Sequence, residues 1–276
     1  MSAAVVPLTG LDLAARREEL IHDGATVLRG VLDSAWINAL CAAVDEALAR
    51  PTPLGHRFAS EGGAFFSDLY LSAVFPAFRD FGHRSPVAGL VGALMGVSRL
   101  VLFTDELLVK EPGTSLETPW HHDLTYWPVD GEAACSAWIP LDPVRERSGA
   151  LQFARGSHRG GRRFHPRDFD TGVDRVTRDD EESIHVVDAA LDPADLVTIE
   201  ADPGDCVVFD ALTLHRASGN FSETTRRRAV VLRLVGPDVR YDPRPRTLPL
   251  IWAPRLAPGD PLGGELFPTL WTEERR

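Results

Sequence analysis

The sequence predicts a mainly β protein, a sandwich or barrel with flanking helices that cover one sheet. Three observations predict it. Short β-rich runs alternate with turns from residue 106 to 235, Gly and Pro punctuate them, and helix-period segments are confined to the front of the chain. Residues 11 to 22 read as a helix and lead into Gly24-Ala25-Thr26-Val27-Leu28-Arg29-Gly30, a β-branched run bounded by glycines. A second helix begins near Asp33 or Ser34, either of which can cap it, and carries Trp36, Leu40, Val44 and Leu48 at helical spacing. Residues 51 to 65, with Pro, Gly and Ser, read as a loop. A further helix near 84 to 96 precedes the strand Arg99 to Phe103.

The runs that follow are Glu106 to Lys110, His121 to Trp127, Ala134 to Leu141, Ala150 to Ala154, Leu196 to Ile199, Asp205 to Phe209 and Arg227 to Val235. The stretch from about 155 to 190 is charged and poor in apolar runs, which marks an insertion rather than a separate domain. These elements describe one domain over residues 1–276: a helical part to about 98, a β core from about 99 to 236, the insertion, and a proline-rich tail from about 237 to 276. A chain of 276 residues is a usual size for a single sandwich or barrel.

Composition narrows the function classes. A formal charge of -11 and a pI near 5.3 argue against nucleic acid or an anionic membrane as the main partner. Cys41, Cys135 and Cys206 are far apart and odd in number, so neither a disulfide framework nor a thiolate zinc site is indicated. The N-terminal residues lack a basic-then-apolar signal pattern and no stretch reaches membrane-spanning length, so a cytoplasmic location is expected.

The chemistry concentrates in Pro119-Trp120-His121-His122-Asp123. On an extended strand the two-residue period puts His121 and Asp123 on one face and turns His122 to the other. Far downstream, Pro203 to His215 reads as a turn feeding an apolar strand that ends near a histidine, His215, placed to supply a third ligand. Two histidines and one carboxylate with open positions are the ligand set of non-haem Fe(II) oxygenases. After a polar loop, a strand opens with Arg226, Arg227 and Arg228; an arginine there can hold a carboxylate with a bidentate fork. His22, His56, His83, His165 and His185 have no ligand spacing to one another and read as surface or packing residues. Tyr126-Trp127 and the arginines 155, 159, 162, 163 and 167 read as packing and as a solvated face, respectively.

Taken in order, these motifs resemble the phytanoyl-CoA dioxygenase family of Fe(II)/2-oxoglutarate-dependent oxygenases. The resemblance runs from His22-Asp23-Gly24-Ala25-Thr26-Val27 through Val109-Lys110-Glu111-Pro112-Gly113-Thr114, Pro119 to Asp123 and Ala137-Trp138-Ile139-Pro140-Leu141-Asp142. It continues through Ser148-Gly149-Ala150-Leu151, Gly156-Ser157-His158, Gly204 to His215 and Arg227 to Arg233. It implies a double-stranded β-helix (jelly-roll, cupin-like) core, and Fe(II), 2-oxoglutarate and O2 as cofactor and co-substrates. It also implies His121, Asp123 and His215 as iron ligands and an arginine for the far carboxylate of 2-oxoglutarate. The family's usual count lands on Arg226, whereas the strand pattern points to Arg227 and sets Val230, Leu232 and Leu234 on the opposite face, toward covering helices. Arg216-Ala217-Ser218 follows His215 where many relatives carry a small polar pair, leaving Ser218 as the candidate co-substrate contact. Relatives that halogenate lack the carboxylate that Asp123 retains, so the resemblance implies hydroxylation or a related oxidation of a small organic substrate. A metal-dependent hydrolase or isomerase and a non-catalytic binding protein are the alternative readings on this fold.

Overall fold

Asp12 and Gly24 delimit the first helix. The computed structural model describes residues 11–60, 62–168, 171–187, 191–251 and 255–273. In it α1 (Leu13–Asp23) starts where the Asp12 side chain accepts a hydrogen bond from the Ala15 amide and stops at Gly24, in the left-handed region at φ 83. β1 (Ala25–Leu28) follows, then α2 (Ser34–Ala49), whose cap is Asp33, accepting from the Trp36 amide at 3.0 Å. The segment expected as a loop contains a hairpin, β2 (His56–Ser60) and β3 (Gly63–Leu69). Its turn passes through Gly62 at φ 92, and Phe58 pairs with Phe65 across it, their rings stacked at 5.5 Å. The Pro, Gly and Ser that flank the hairpin obscured this aromatic pairing. Three short helices follow, α3 (Leu71–Val74), α4 (Pro76–Arg84) and α5 (Val87–Met95).

β4 (Arg99–Lys110) unites the two runs expected at 99–103 and 106–110 in one strand. The chain continues through β5 (Thr118–His121), β6 (Val129–Asp130), β7 (Ala134–Pro140), β8 (Leu151–Ala154), β9 (Leu196–Ile199), β10 (Cys206–Asp210), β11 (His215–Ala217) and β12 (Arg227–Val235), with β13 (Arg240–Tyr241) and β14 (Thr269–Thr272) in the tail. Two antiparallel sheets form a jelly roll. The larger runs β1-β10-β7-β12-β4-β3-β2, with β14 also on β4; the smaller runs β5-β11-β8-β9; β6 and β13 pair separately.

The alternation of β12 sorts the two sides of the larger sheet. Val230, Leu232 and Leu234 join Leu40, Val44, Phe78 and Val91 of the helices in one core cluster, as the strand pattern predicts. Each such buried side chain contributes about 1.5–3 kcal/mol. Ala229 and Val231 face the other way, packing with Trp138, Phe209 and, from the smaller sheet, Leu151 and Phe153. The space between the sheets is therefore where Arg227 and Arg233, in phase with Ala229 and Val231, must go.

The insertion is not a detached loop. It packs Phe164, Ile184 and Val187 onto Trp120 and Leu214, the neighbours in sequence of His121 and His215. Among the described residues no helix is long and apolar enough to cross a membrane.

Candidate metal centre and its cavity

β5 and β11 are adjacent strands of the smaller sheet, and their register sets His121 directly opposite His215, with ring centroids 4.1 Å apart. The turn before His215 is buttressed from the front of the chain. Thr213 Oγ1 and the Asp210 amide both donate to the Gly24 carbonyl at 2.9 Å, and a Cβ on Gly24 would lie 2.3 Å from Thr213 Oγ1. The Gly24 motif thus positions a histidine almost 200 residues downstream, and only glycine supplies both the backbone angle and the clearance.

Asp123 arrives by a route that strand parity did not predict. The strand ends at His121, and Asp123 is in the right-handed helical region at φ -69, ψ -41, where its carbonyl accepts from the Tyr126 amide in a single 3-10 turn, Leu124–Tyr126. That turn, rather than a continued strand to Trp127, folds the carboxylate back beside the imidazole. His121 Nε2 lies 3.8 Å from Asp123 Oδ1, and the ligand atoms of His121, Asp123 and His215 all fall within 4.8 Å of one another. His122 points away, accepting from the Phe164 amide of the insertion at 2.9 Å.

The donor set is prepared for a cation. Nδ1 of His121 donates to the Pro119 carbonyl and Nδ1 of His215 to that of Thr213, each at 2.9 Å, which makes Nε2 the ligating nitrogen of each ring. Burial pushes the His121 pKa down to about 3 and lowers that of His215, so both rings are neutral at physiological pH. Burial alone would raise the Asp123 pKa, but the Arg233 guanidinium first, and the Ser136 hydroxyl beside it, hold it below the usual carboxylate value. Ser136 Oγ donates to Asp123 Oδ2 at 2.6 Å, which leaves Oδ1 as the oxygen facing His121. Ser136→Ala is expected to weaken Co(II) or Fe(II) binding by roughly 10–100-fold, read by anaerobic metal titration, because a buried partner orients the ligand oxygen. Unchanged affinity would assign Ser136 to packing alone.

These side chains line a cavity of about 100 Å³ between the sheets, together with Phe58, Phe65, Trp138, Leu151, Phe209, Glu106, Arg227 and Arg233. Arg227 is 2% exposed, and its Nε and Nη1 are buried without a hydrogen-bond partner. Burial pushes its pKa down to about 10, with only a compensating pull from Asp142, which is itself bound by Arg228. The Arg227 guanidinium is thus desolvated with little to compensate its charge. Arg226 faces outward, its side chain 39% exposed and paired with Glu111 at 2.8 Å. Ser218 does not line the cavity: its hydroxyl lies 2.9 Å from the Glu146 carbonyl, and its own carbonyl accepts from the buried Lys110 Nζ at 2.6 Å.

Other residues read from the sequence have settled partners. The Tyr126 hydroxyl donates to the Arg167 carbonyl at 2.9 Å, and Trp127 is fully buried against Phe103. Arg155, Arg162 and Arg163 pair with Asp23, Glu182 and Asp130. Ser136, Glu106 and Arg233 were not singled out from the sequence. Each left a signal: a polar or charged residue inside an otherwise apolar strand requires a buried partner.

The two sheets of the jelly roll thus enclose a His-Asp-His set that could hold a metal ion, beside a desolvated arginine. The comparisons agree with that arrangement. The chain belongs to the phytanoyl-CoA dioxygenase (PhyH) family, whose family model matches residues 21–229. It is 27% identical over 133 residues to a probable alpha-ketoglutarate-dependent hypophosphite dioxygenase of Stutzerimonas stutzeri, a match spanning 46% of this chain but only 43% of that relative. Among solved structures it resembles the epimerase SnoN in complex with Fe3+, alpha ketoglutarate and nogalamycin RO, at 26% identity and a TM-score of 0.74, over 94% of this chain and 98% of that one. The carbocyclase SnoK from nogalamycin biosynthesis, at 24% identity and a TM-score of 0.76 over 98% and 100% of the two chains, shares the fold.

Proposed function

We propose that this chain is an Fe(II)- and 2-oxoglutarate-dependent dioxygenase that hydroxylates a small organic metabolite and works as a single domain over residues 1–276. The observation that carries this reading is one small cavity bordered both by the convergent His121, Asp123 and His215 and by the unpartnered Arg227. In this reading the three side chains hold the iron, and Arg227, in preference to Arg226, binds the far carboxylate of 2-oxoglutarate. The bound ion and co-substrate supply oxygen activation coupled to decarboxylation of 2-oxoglutarate to succinate.

The protein's own part is binding, orientation and exclusion of water. Arg227 offers donors that are already desolvated and fixed in direction, so little reorganisation accompanies binding. Phe58, Phe65, Trp138, Leu151 and Phe209 surround the cavity with apolar surface that keeps water from the reacting atoms. The retained Asp123 carboxylate fills the position that halogenating relatives leave open, which favours hydroxylation.

Anaerobic addition of Fe(II) and 2-oxoglutarate is expected to produce a visible charge-transfer band, and aerobic screening over metabolite classes to release succinate. Neither band nor succinate with the wild-type protein would refute the assignment. Product mass then separates the reactions: hydroxylation adds one oxygen atom, whereas epimerisation, the chemistry named for SnoN, leaves the mass unchanged.

A further inference from the structure

Arg233 is a second guanidinium on the same wall of the same cavity. It follows Arg227 by six positions on β12, and the strand period turns both inward with Ala229 and Val231. Its side chain is only 12% exposed. Nη2 donates to Glu106 Oε2 at 2.6 Å and lies 3.8 Å from Asp123 Oδ1, so this guanidinium sits at the metal end of the cavity. Glu106 is itself fixed by the Ser67 hydroxyl, 2.7 Å from Oε1. The indole of Trp127 lies 5.7 Å from the Arg233 guanidinium carbon. Nε and Nη1 of Arg233 are buried and have no hydrogen-bond partner.

Neutralising Asp123 does not account for this arrangement. Arg227 and Arg233 balance Glu106 and Asp123, so the charged side chains that line the cavity carry no net charge. A divalent cation on the histidines and Asp123 then leaves two positive charges in a cavity of about 100 Å³, which a dianion cancels. The two sets of free donors, one on each arginine, indicate where its two charged ends lie.

We propose that Arg233 binds the metal-proximal carboxylate of the 2-oxo acid, so that the cavity grips a short dicarboxylate at both ends, Arg227 at the far carboxylate and Arg233 at the near one. This rests on the dioxygenase reading and adds to it a second binding residue with a distinct ligand preference. Arg233 then selects 2-oxo acids over ketones, and Arg227 selects diacids over monoacids.

The test uses Mn(II)-loaded protein, which does not turn over, and calorimetric titration with three probes. These are 2-oxoglutarate, 2-oxopentanoate, which lacks the far carboxylate, and levulinate, which lacks the near one. Arg233→Gln is expected to weaken 2-oxoglutarate and 2-oxopentanoate by on the order of 10–100-fold, the worth of a charged hydrogen bond, and to leave levulinate almost unchanged. Arg227→Gln is expected to weaken 2-oxoglutarate and levulinate and to spare 2-oxopentanoate. Because Arg233→Gln strands a buried Glu106, the double variant Arg233→Gln/Glu106→Gln, which removes both charges together, is titrated in parallel and is expected to show the same preference. Equal losses for levulinate and 2-oxoglutarate would reduce Arg233 to a structural residue, and unchanged 2-oxoglutarate binding would remove it from the site; either overturns the proposal. Failure of the wild-type protein to bind 2-oxoglutarate at all would instead refute the dioxygenase reading.

Discussion

Asp123→Ala is expected to abolish metal binding and succinate formation together. Asp123 is the only carboxylate of the three convergent residues, and it is buried and held ionised by Arg233 and Ser136. Its removal leaves two neutral imidazoles, and Arg233, with Glu106 as its one remaining nearby acid, then faces the cation across the vacated position. The loss should exceed the roughly 10–100-fold expected for an outer partner such as Ser136. The sign of the electrostatics also gives a signature: Arg233 loses one of its two nearby acids, so chloride or acetate should restore some metal binding by occupying the vacated position. Anaerobic Co(II) titration reads both effects. Metal affinity that survives Asp123→Ala would move the metal site elsewhere.

Arg227→Met should behave in the opposite way, sparing the metal and losing the co-substrate. Truncating one partner of a buried charge pair costs about 2–5 kcal/mol of binding, so the KM for 2-oxoglutarate is expected to rise by roughly 30–5,000-fold at unchanged metal affinity. Stability supplies an independent check. A base whose folded pKa is depressed from the usual guanidinium value to about 10 is destabilising wherever it is charged in both states, as at pH 7, and that penalty disappears only as pH rises past about 10. The penalty is about 3 kcal/mol. Arg227→Met of similar volume should therefore hold or raise the melting temperature of the cofactor-free protein at neutral pH while 2-oxoglutarate binding collapses. Arg226→Met should do neither, since that side chain meets only Glu111 at the surface. A large KM effect from Arg226 with none from Arg227 would reverse the assignment.

The two arginines show how far the residues alone reach. The count from His215 favoured Arg226 and the strand pattern Arg227; the apolar partners of Val230, Leu232 and Leu234 identify the helix-facing side, and that parity sends Arg227 inward. Parity worked on β12 because the strand is regular from Arg227 to Arg233. It failed as a route for His121 and Asp123 because a turn interrupts the strand after His121, although the two residues still converge. The hairpin at His56–Leu69 was hidden for a related reason: its pairing depends on Phe58 meeting Phe65 rather than on composition, and both rings border the cavity.

Sequence by itself determined the fold class, the family resemblance and the three residues that converge at the centre, because these rest on local alternation and on the order of motifs along the chain. Tertiary structure decided which arginine is buried without an acid, how Asp123 reaches the histidines and which residues stand behind it. Glu106 and Arg233 are 127 residues apart, and Ser136 reaches Asp123 from β7 of the larger sheet. Burial, not residue type, separates a solvated charge from one that requires a ligand, and burial exists only once the two sheets have closed on each other.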